Sequence, residues 1–253
     1  MKRPFKIALW LVAILLVLLL AGGYVYYYFR SGGIPRVTVD TNLFPVKGVD
    51  ISSHNNDINF KSLVDDGVEF VYIKSTEGAT YKDSRFHHNY RMARKAGLLV
   101  GAYHFFRFET DGEMQAINIC NSLRGKHLDL PVAIDVEDWT NPDGIPTNIV
   151  SNRLSLLVKY LRESGFDVAI YTNMKGYYRF YRNRLEDYPL WICSFRNPPL
   201  DDSRNKPLFW QHSHLGSVKG ASGFIDLNVF YGNRAEWDSW LEKRRNTPTT
   251  ITN

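Results

Sequence analysis

The chain has 253 residues, 44% hydrophobic and 14% aromatic, which excludes a disordered polymer and suffices for one domain with a full core. Its formal charge of +5 is local: Lys2, Arg3, Lys6 and Arg30 lie in a stretch without acids, so the rest carries only about +1, a poor basis for nucleic-acid binding. Cys120 and Cys193 fit no metal spacing and no C-x-x-C motif, and leave open one disulfide or two free thiols.

Every residue from Ile7 to Phe29 is apolar, Gly or Tyr, a run long enough to cross a bilayer as a helix, which takes roughly 20 residues. The cations before it place the N-terminus in the cytoplasm and the remainder on the extracytoplasmic side, periplasmic or cell-wall. A cleaved signal peptide is the rival reading, but Tyr24 and Tyr26 to Phe29 extend the apolar run past Ala21-Gly22-Gly23, as an interfacial aromatic belt would. The expected organisation is a membrane anchor over residues 1–30, a Gly-, Pro- and Thr-containing linker over 31–45, a catalytic domain over 46–245 and a frayed tail over 246–253.

From residue 46 onward strand-like and helix-like segments alternate. Strands are expected at 47–51, 69–74, 98–106, 130–137 and 168–171, with helices at 60–66, 84–96, 112–123 and 147–164. Beyond about residue 188 the helical spacers shorten, and strands at 189–194, 207–212 and 224–230 follow one another before a closing helix at 233–245. This rhythm predicts a parallel sheet wrapped by helices.

The segment 130–137 ends in Asp135-Val136-Glu137. A strand turns every second side chain to one face, so Asp135 and Glu137 share a face with α-carbons roughly 6–7 Å apart. Two carboxylates so placed suit hydrolysis of a glycosidic bond. In a parallel barrel the site lies at the carboxyl ends of several strands, and acids recur there at Asp50 and, within an apolar run, at Asp226.

Lys47-Gly48-Val49-Asp50-Ile51-Ser52, Phe70-Val71-Tyr72-Ile73-Lys74-Ser75-Thr76-Glu77-Gly78, Gly101-Ala102-Tyr103-His104-Phe105-Phe106, Pro131-Val132-Ala133-Ile134-Asp135-Val136-Glu137, Ile170-Tyr171-Thr172-Asn173, Leu190-Trp191, Phe209-Trp210-Gln211-His212 and Ile225-Asp226-Leu227-Asn228-Val229-Phe230, taken in order, resemble glycoside hydrolase family 25, the lysozyme-type muramidases. The resemblance implies an α/β fold, an irregular TIM-like barrel of five β/α units followed by three strands. It also implies hydrolysis of the β-1,4 bond between N-acetylmuramic acid and N-acetylglucosamine in peptidoglycan. On it, Glu137 matches the general acid, Asp135 its carboxylate partner, and Asp50 and Asp226 the outer acids.

Chemistry points the same way for Glu137, since a proton donor needs a pKa raised by neighbouring carboxylates or an apolar pocket. Asp135 is expected to orient the substrate's N-acetyl group. Tyr103, Tyr171, Trp191 and Trp210 fall in predicted strands and are candidate sugar platforms, with core packing the competing role for each. A metal site from His54, His104, Asp50 and Asp135 lacks any H-x-x-x-H or H-x-x-E-H spacing, so neither metal nor cofactor is expected. Lys74 and Glu77 are expected to pair at the rim, and His87-His88 to lie on a helix surface. Two further readings stay open: a barrel that binds peptidoglycan without cutting it, and a chitinase-like glycosidase acting on another N-acetylated glycan.

Overall fold

The computed structural model describes residues 3–30, 37–197, 199–200 and 204–246 and divides into two compact units, residues 1–36 and 37–253. The first unit contains helix α1 (Arg3–Arg30). Its span Trp10–Tyr28 is long and apolar enough to cross a bilayer, and none of it is buried within the structure.

The second unit is a barrel. Strands β1 (Lys47–Ile51), β2 (Val68–Glu77), β4 (Leu99–Phe105), β5 (Val132–Asp135), β6 (Val168–Asn173), β7 (Leu190–Cys193), β8 (Phe209–Gly216) and β9 (Ile225–Phe230) form a closed ring, with the two-residue β3 (Tyr81–Lys82) hairpinned onto the end of β2. Neighbours from β1 round to β8 pair in parallel, whereas β9 is antiparallel to both β8 and β1 and closes the ring. Helices α2 (Phe60–Asp65), α3 (Phe86–Ala96), α4 (Gly112–Leu123) and α5 (Thr147–Glu163) connect successive parallel strands. Their ends follow local chemistry. Asp111 caps α4 by accepting from the Glu113 and Met114 amides, and Gly97 ends α3 at φ +87°, a conformation that favours glycine.

After β6 comes a single turn, α6 (Met174–Gly176), followed by a π-helical turn at Tyr177–Tyr181. Neither these nor β3 is signalled by the hydrophobic pattern. Helix α7 (Arg234–Asn246) closes the described chain, and the expected tail beyond residue 246 lies outside the described residues, as does the first part of the expected linker. The rest of that linker is not free: Val37, Val39 and Phe44 pack on the core, and the Phe44 ring stacks on Tyr231 at 4.8 Å.

Two cores result from strand alternation. One lies between the outer face of the sheet and the helices, and includes Val49, Ile73, Ile134, Leu154 and Leu157. The other fills the barrel with Phe70, Tyr72, Trp191, Phe209, Phe230 and Trp237. Gly101 makes room for this filling, because a Cβ there would come within 2.4 Å of the Tyr72 ring. Above the stacked Tyr72 and Trp191 rings, 4.4 Å apart, the interior turns polar.

Candidate active site

That polar layer lies at the carboxyl ends of the parallel strands. Asp50 on β1 and Asp226 on β9 are paired across the antiparallel ladder, and their carboxyls are hydrogen-bonded. Asp50 Oδ2 also accepts from Gln211 Nε2 at 2.8 Å and Asn228 Nδ2 at 2.8 Å. Both amides are held from the other side. Tyr171 Oη donates to Gln211 Oε1 at 2.7 Å, and Trp191 Nε1 donates to Asn228 Oδ1 at 2.9 Å. The chain of bonds therefore orients both amides with their N–H groups toward Asp50.

Burial raises the pKa of Asp50, opposed by the hydrogen bonds from Asn228, Gln211 and Asp226. Asp226 receives no such amide pair, and burial with the Asp50 charge pushes it up to about 9. The shared proton thus belongs on Asp226, and Asp50 carries the charge.

Across the mouth, Asp135 ends β5 and Glu137 follows two residues later, beyond the strand. The alternation persists through this step, because Val136 is buried in the outer core and its amide bonds Tyr171 O at 2.9 Å. Asp135 Oδ1 is buried and has no hydrogen-bond partner. Its pKa is raised well above the carboxylate range by burial and by Glu137, with Lys74 opposing. Glu137 Oε1 accepts from Asn173 Nδ2 at 2.7 Å. Burial lifts Glu137 to about 7, the Asn173 bond opposes this, and the charges of Asp50 and Asp138 add to it. Two carboxyls that each resist ionisation retain a proton between them near neutral pH.

The loop carrying Glu137 is fixed by its own Asn141 and by side chains from two neighbouring segments. Asn141 Nδ2 donates to Glu137 O at 2.7 Å and to Phe106 O at 3.0 Å, while Asn141 Oδ1 accepts from the Phe108 amide at 2.9 Å. Arg179 pairs with Asp138, and Arg107 Nη1 donates to Thr140 O at 3.0 Å.

The aromatic candidates divide. The Tyr103 hydroxyl pKa is raised by burial and by the charges of Asp50, Asp135 and Asp226, which places this half-buried ring beside the acids, and Tyr171, in register with Asp135 across the β5–β6 ladder, is buried with its hydroxyl on Gln211. Trp191 is 2% exposed and wedged between Tyr72 and Tyr171, so it supports the floor and offers no free face to a sugar. Trp210 is on the wrong side of β8: Gln211 points inward, so Trp210 points outward, fully buried, with its indole N–H on Ser194 O at 2.6 Å. Its role as a platform is corrected to packing.

His104 likewise faces the helices. Its Nδ1 bonds Thr76 Oγ1 at 2.8 Å and its Nε2 bonds Gln115 Oε1 at 3.0 Å, and burial lowers its pKa to about 4. With both ring nitrogens occupied it joins no metal site with Asp50 and Asp135, and His54 is exposed. Among the described residues no group of three His, Cys, Asp or Glu could hold a metal ion. Lys74 Nζ meets Glu77 Oε2 at 2.7 Å, His87 and His88 are exposed on α3, and both cysteines are free thiols.

The sequence profile described as glycosyl hydrolases family 25 matches residues 49–221. This chain belongs to glycosyl hydrolase family 25. The profile match spans Asp50, Asp135 and Glu137 and stops short of Asp226. The family 25 chain is 38% identical over 191 residues to the autolytic lysozyme of Clostridium acetobutylicum, covering 73% of this chain and 56% of that protein. It is 36% identical over 201 residues to the N,O-diacetylmuramidase of Chalaropsis sp, covering 73% of this chain and 95% of that one. It superposes on the structure of a family 25 glycosyl hydrolase from Bacillus anthracis with a TM-score of 0.72 at 32% identity, over 81% of this chain and 96% of that one.

Asn141, Asn173, Gln211 and Asn228 are site residues that the acid pattern does not reveal. For Gln211 and Asn228 the available signal was an amide at a buried strand position, since a buried amide demands partners, whereas Asn141 lies in the loop after β5 and carries no such signal.

Proposed function

We propose that this family 25 chain is a membrane-anchored muramidase that hydrolyses the β-1,4 bond between N-acetylmuramic acid and N-acetylglucosamine in peptidoglycan. The observation that carries the reading is the pair at the end of β5: Glu137, raised to about 7 and held by Asn173, beside Asp135 with an unpartnered buried oxygen. Named relatives that are a lysozyme and an N,O-diacetylmuramidase support the substrate class.

Glu137 gives its proton to the glycosidic oxygen as the bond to the anomeric carbon breaks. The substrate's own acetamido oxygen attacks that carbon from the opposite face, and Asp135 Oδ1 accepts the acetamido N–H and so disperses the positive charge that develops. Water, deprotonated by the Glu137 carboxylate, then opens the cyclic intermediate and restores the proton to Glu137, with net retention. Asp50, with Asp226 as its proton-bearing partner, supplies fixed negative charge opposite.

Residues 7–29 are proposed as the anchor, with the N-terminus cytoplasmic and the barrel facing the wall; residues 31–36 are the proposed tether. Reducing-end release from purified peptidoglycan by the full chain, against chitin oligosaccharides and against Glu137→Gln, tests the proposal. Release from peptidoglycan that Glu137→Gln reduces by about a thousandfold or more is expected. No release by the wild type rejects the muramidase reading, preference for chitin moves the substrate class, and inversion at the anomeric carbon removes the acetamido step. Recovery of the full chain in membranes, with residues 37–253 alone in the soluble fraction, tests the anchor.

A further inference from the structure

Trp139 is 75% exposed, two residues beyond Glu137, and among the described residues no ring contact or hydrogen bond engages its indole. The other tryptophans of the barrel are buried or half-buried, with Trp191, Trp210 and Trp237 among the largest fully buried side chains. An indole left in water forgoes the stabilisation that burial brings, and this one stands on a loop with little freedom. Asp138 before it is paired with Arg179 and Lys175, Thr140 after it is bonded by Arg107 through both its carbonyl and its hydroxyl, and Asn141 ties the loop to Glu137 O and Phe106 O. Thr140 is held at φ +56°, unusual for a β-branched residue and sustained only where surroundings over-determine the backbone. The clamps come from segments after β4 and β6, so the backbone that carries the indole is fixed at the mouth between the carboxyl ends of those strands.

From this arrangement we infer that Trp139 is a glycan-stacking residue, whose indole face receives the apolar C–H face of one pyranose ring next to the scissile bond. The inference rests on the muramidase reading for the identity of the ligand. The chemistry matches, because an equatorially substituted pyranose presents ring C–H groups on each face, and a rigid aromatic plane binds such a face with little loss of side-chain freedom. The ring makes this contact before and during bond cleavage alike, so its contribution is uniform binding and registers in KM.

The test uses the full chain in detergent with soluble, uncrosslinked peptidoglycan strands. Trp139→Ala is expected to raise KM about fivefold to tenfold with kcat within about twofold, and Trp139→Tyr to restore most of the loss. In the Glu137→Gln background, added strands should alter tryptophan emission saturably, and Trp139→Phe should abolish that change. Unchanged KM in Trp139→Ala, or an emission change that persists in Trp139→Phe, overturns the inference. A wild type without hydrolytic activity rejects the muramidase reading instead, and the emission titration still decides whether Trp139 meets glycan.

Discussion

Asn173→Ala tests how the proton is held. Asn173 Nδ2 donates to Glu137 Oε1 at 2.7 Å and favours the ionised carboxylate, opposing the burial that lifts Glu137 to about 7. Removing the donor leaves the burial and the Asp50 and Asp138 charges unopposed, so the pKa rises further. A hydrogen bond to a charged group contributes about 1.5–3 kcal/mol, and one pKa unit corresponds to about 1.4 kcal/mol. Because the Glu137 side chain opens onto the mouth, water recovers part of that loss, and a shift of about one unit is expected. With Glu137 in its proposed role of proton donor, the protonated form is the active one, so the basic limb of kcat/KM against pH is expected to move to higher pH by that amount, while kcat at the optimum falls because Glu137 is less well oriented. The substitution also removes the bond from the Gly176 amide to Asn173 Oδ1, at about 1 kcal/mol, so the melting temperature is followed in parallel and should drop by about 2–4 °C. Reducing-end release measured from pH 4 to 9 reads the profile. A basic limb that stays in place or moves to lower pH refutes the assignment of Glu137 as the group that titrates there.

Three further outcomes follow from the geometry. Asp226 keeps a proton in the folded state up to about pH 9 that it loses near 3.8 when unfolded, so its contribution to stability declines as pH rises through that window. Asp226→Asn keeps a donor for Asp50 without that decline, and calorimetry should find its melting temperature close to wild type at pH 4 and higher by about 3–10 °C at pH 8, with reduced activity; a difference independent of pH contradicts this. Gly101→Ala forces a Cβ against the Tyr72 ring, an overpacking cost of about 1–3 kcal/mol that should lower the melting temperature by about 2–10 °C. Trp210→Phe loses the bond to Ser194 O and should reduce stability by about 1–3 kcal/mol in urea unfolding with KM unchanged; a raised KM would return Trp210 to the sugar site.

The barrel was legible because the parallel strands are short apolar runs covered on both faces, and runs such as Val132–Asp135 and Val168–Asn173 stand out between helices with apolar periodicity. Elements without that contrast were not. Tyr81–Lys82 is an exposed pair, and the Tyr-, Phe- and Arg-rich turn Tyr177–Tyr181 carries no period of its own. Spacing put Asp135 and Glu137 on one face, although β5 ends at Asp135 and a loop held by Asn141 carries the acid the rest of the way. Alternation likewise separates Trp210 from Gln211 without saying which faces inward. In a barrel whose upper interior is polar, the amide took the inner place and the large ring the outer, the reverse of what ring size alone suggests.

The strand that closes the barrel has a consequence for when the enzyme can act. Asn228 reaches Asp50 across 178 residues of sequence, and β9 is the last strand among the described residues. A nascent chain that has not yet delivered residues 225–230 has neither Asp226 nor an anchored Asp50, whatever the state of its earlier strands. If the apolar helix leads the chain into the membrane, the cutting edge is completed last, after nearly all of the domain has been translocated. On the proposed reading of an anchored muramidase, such a chain lacks its full set of acids until β9 has followed the earlier strands across the membrane.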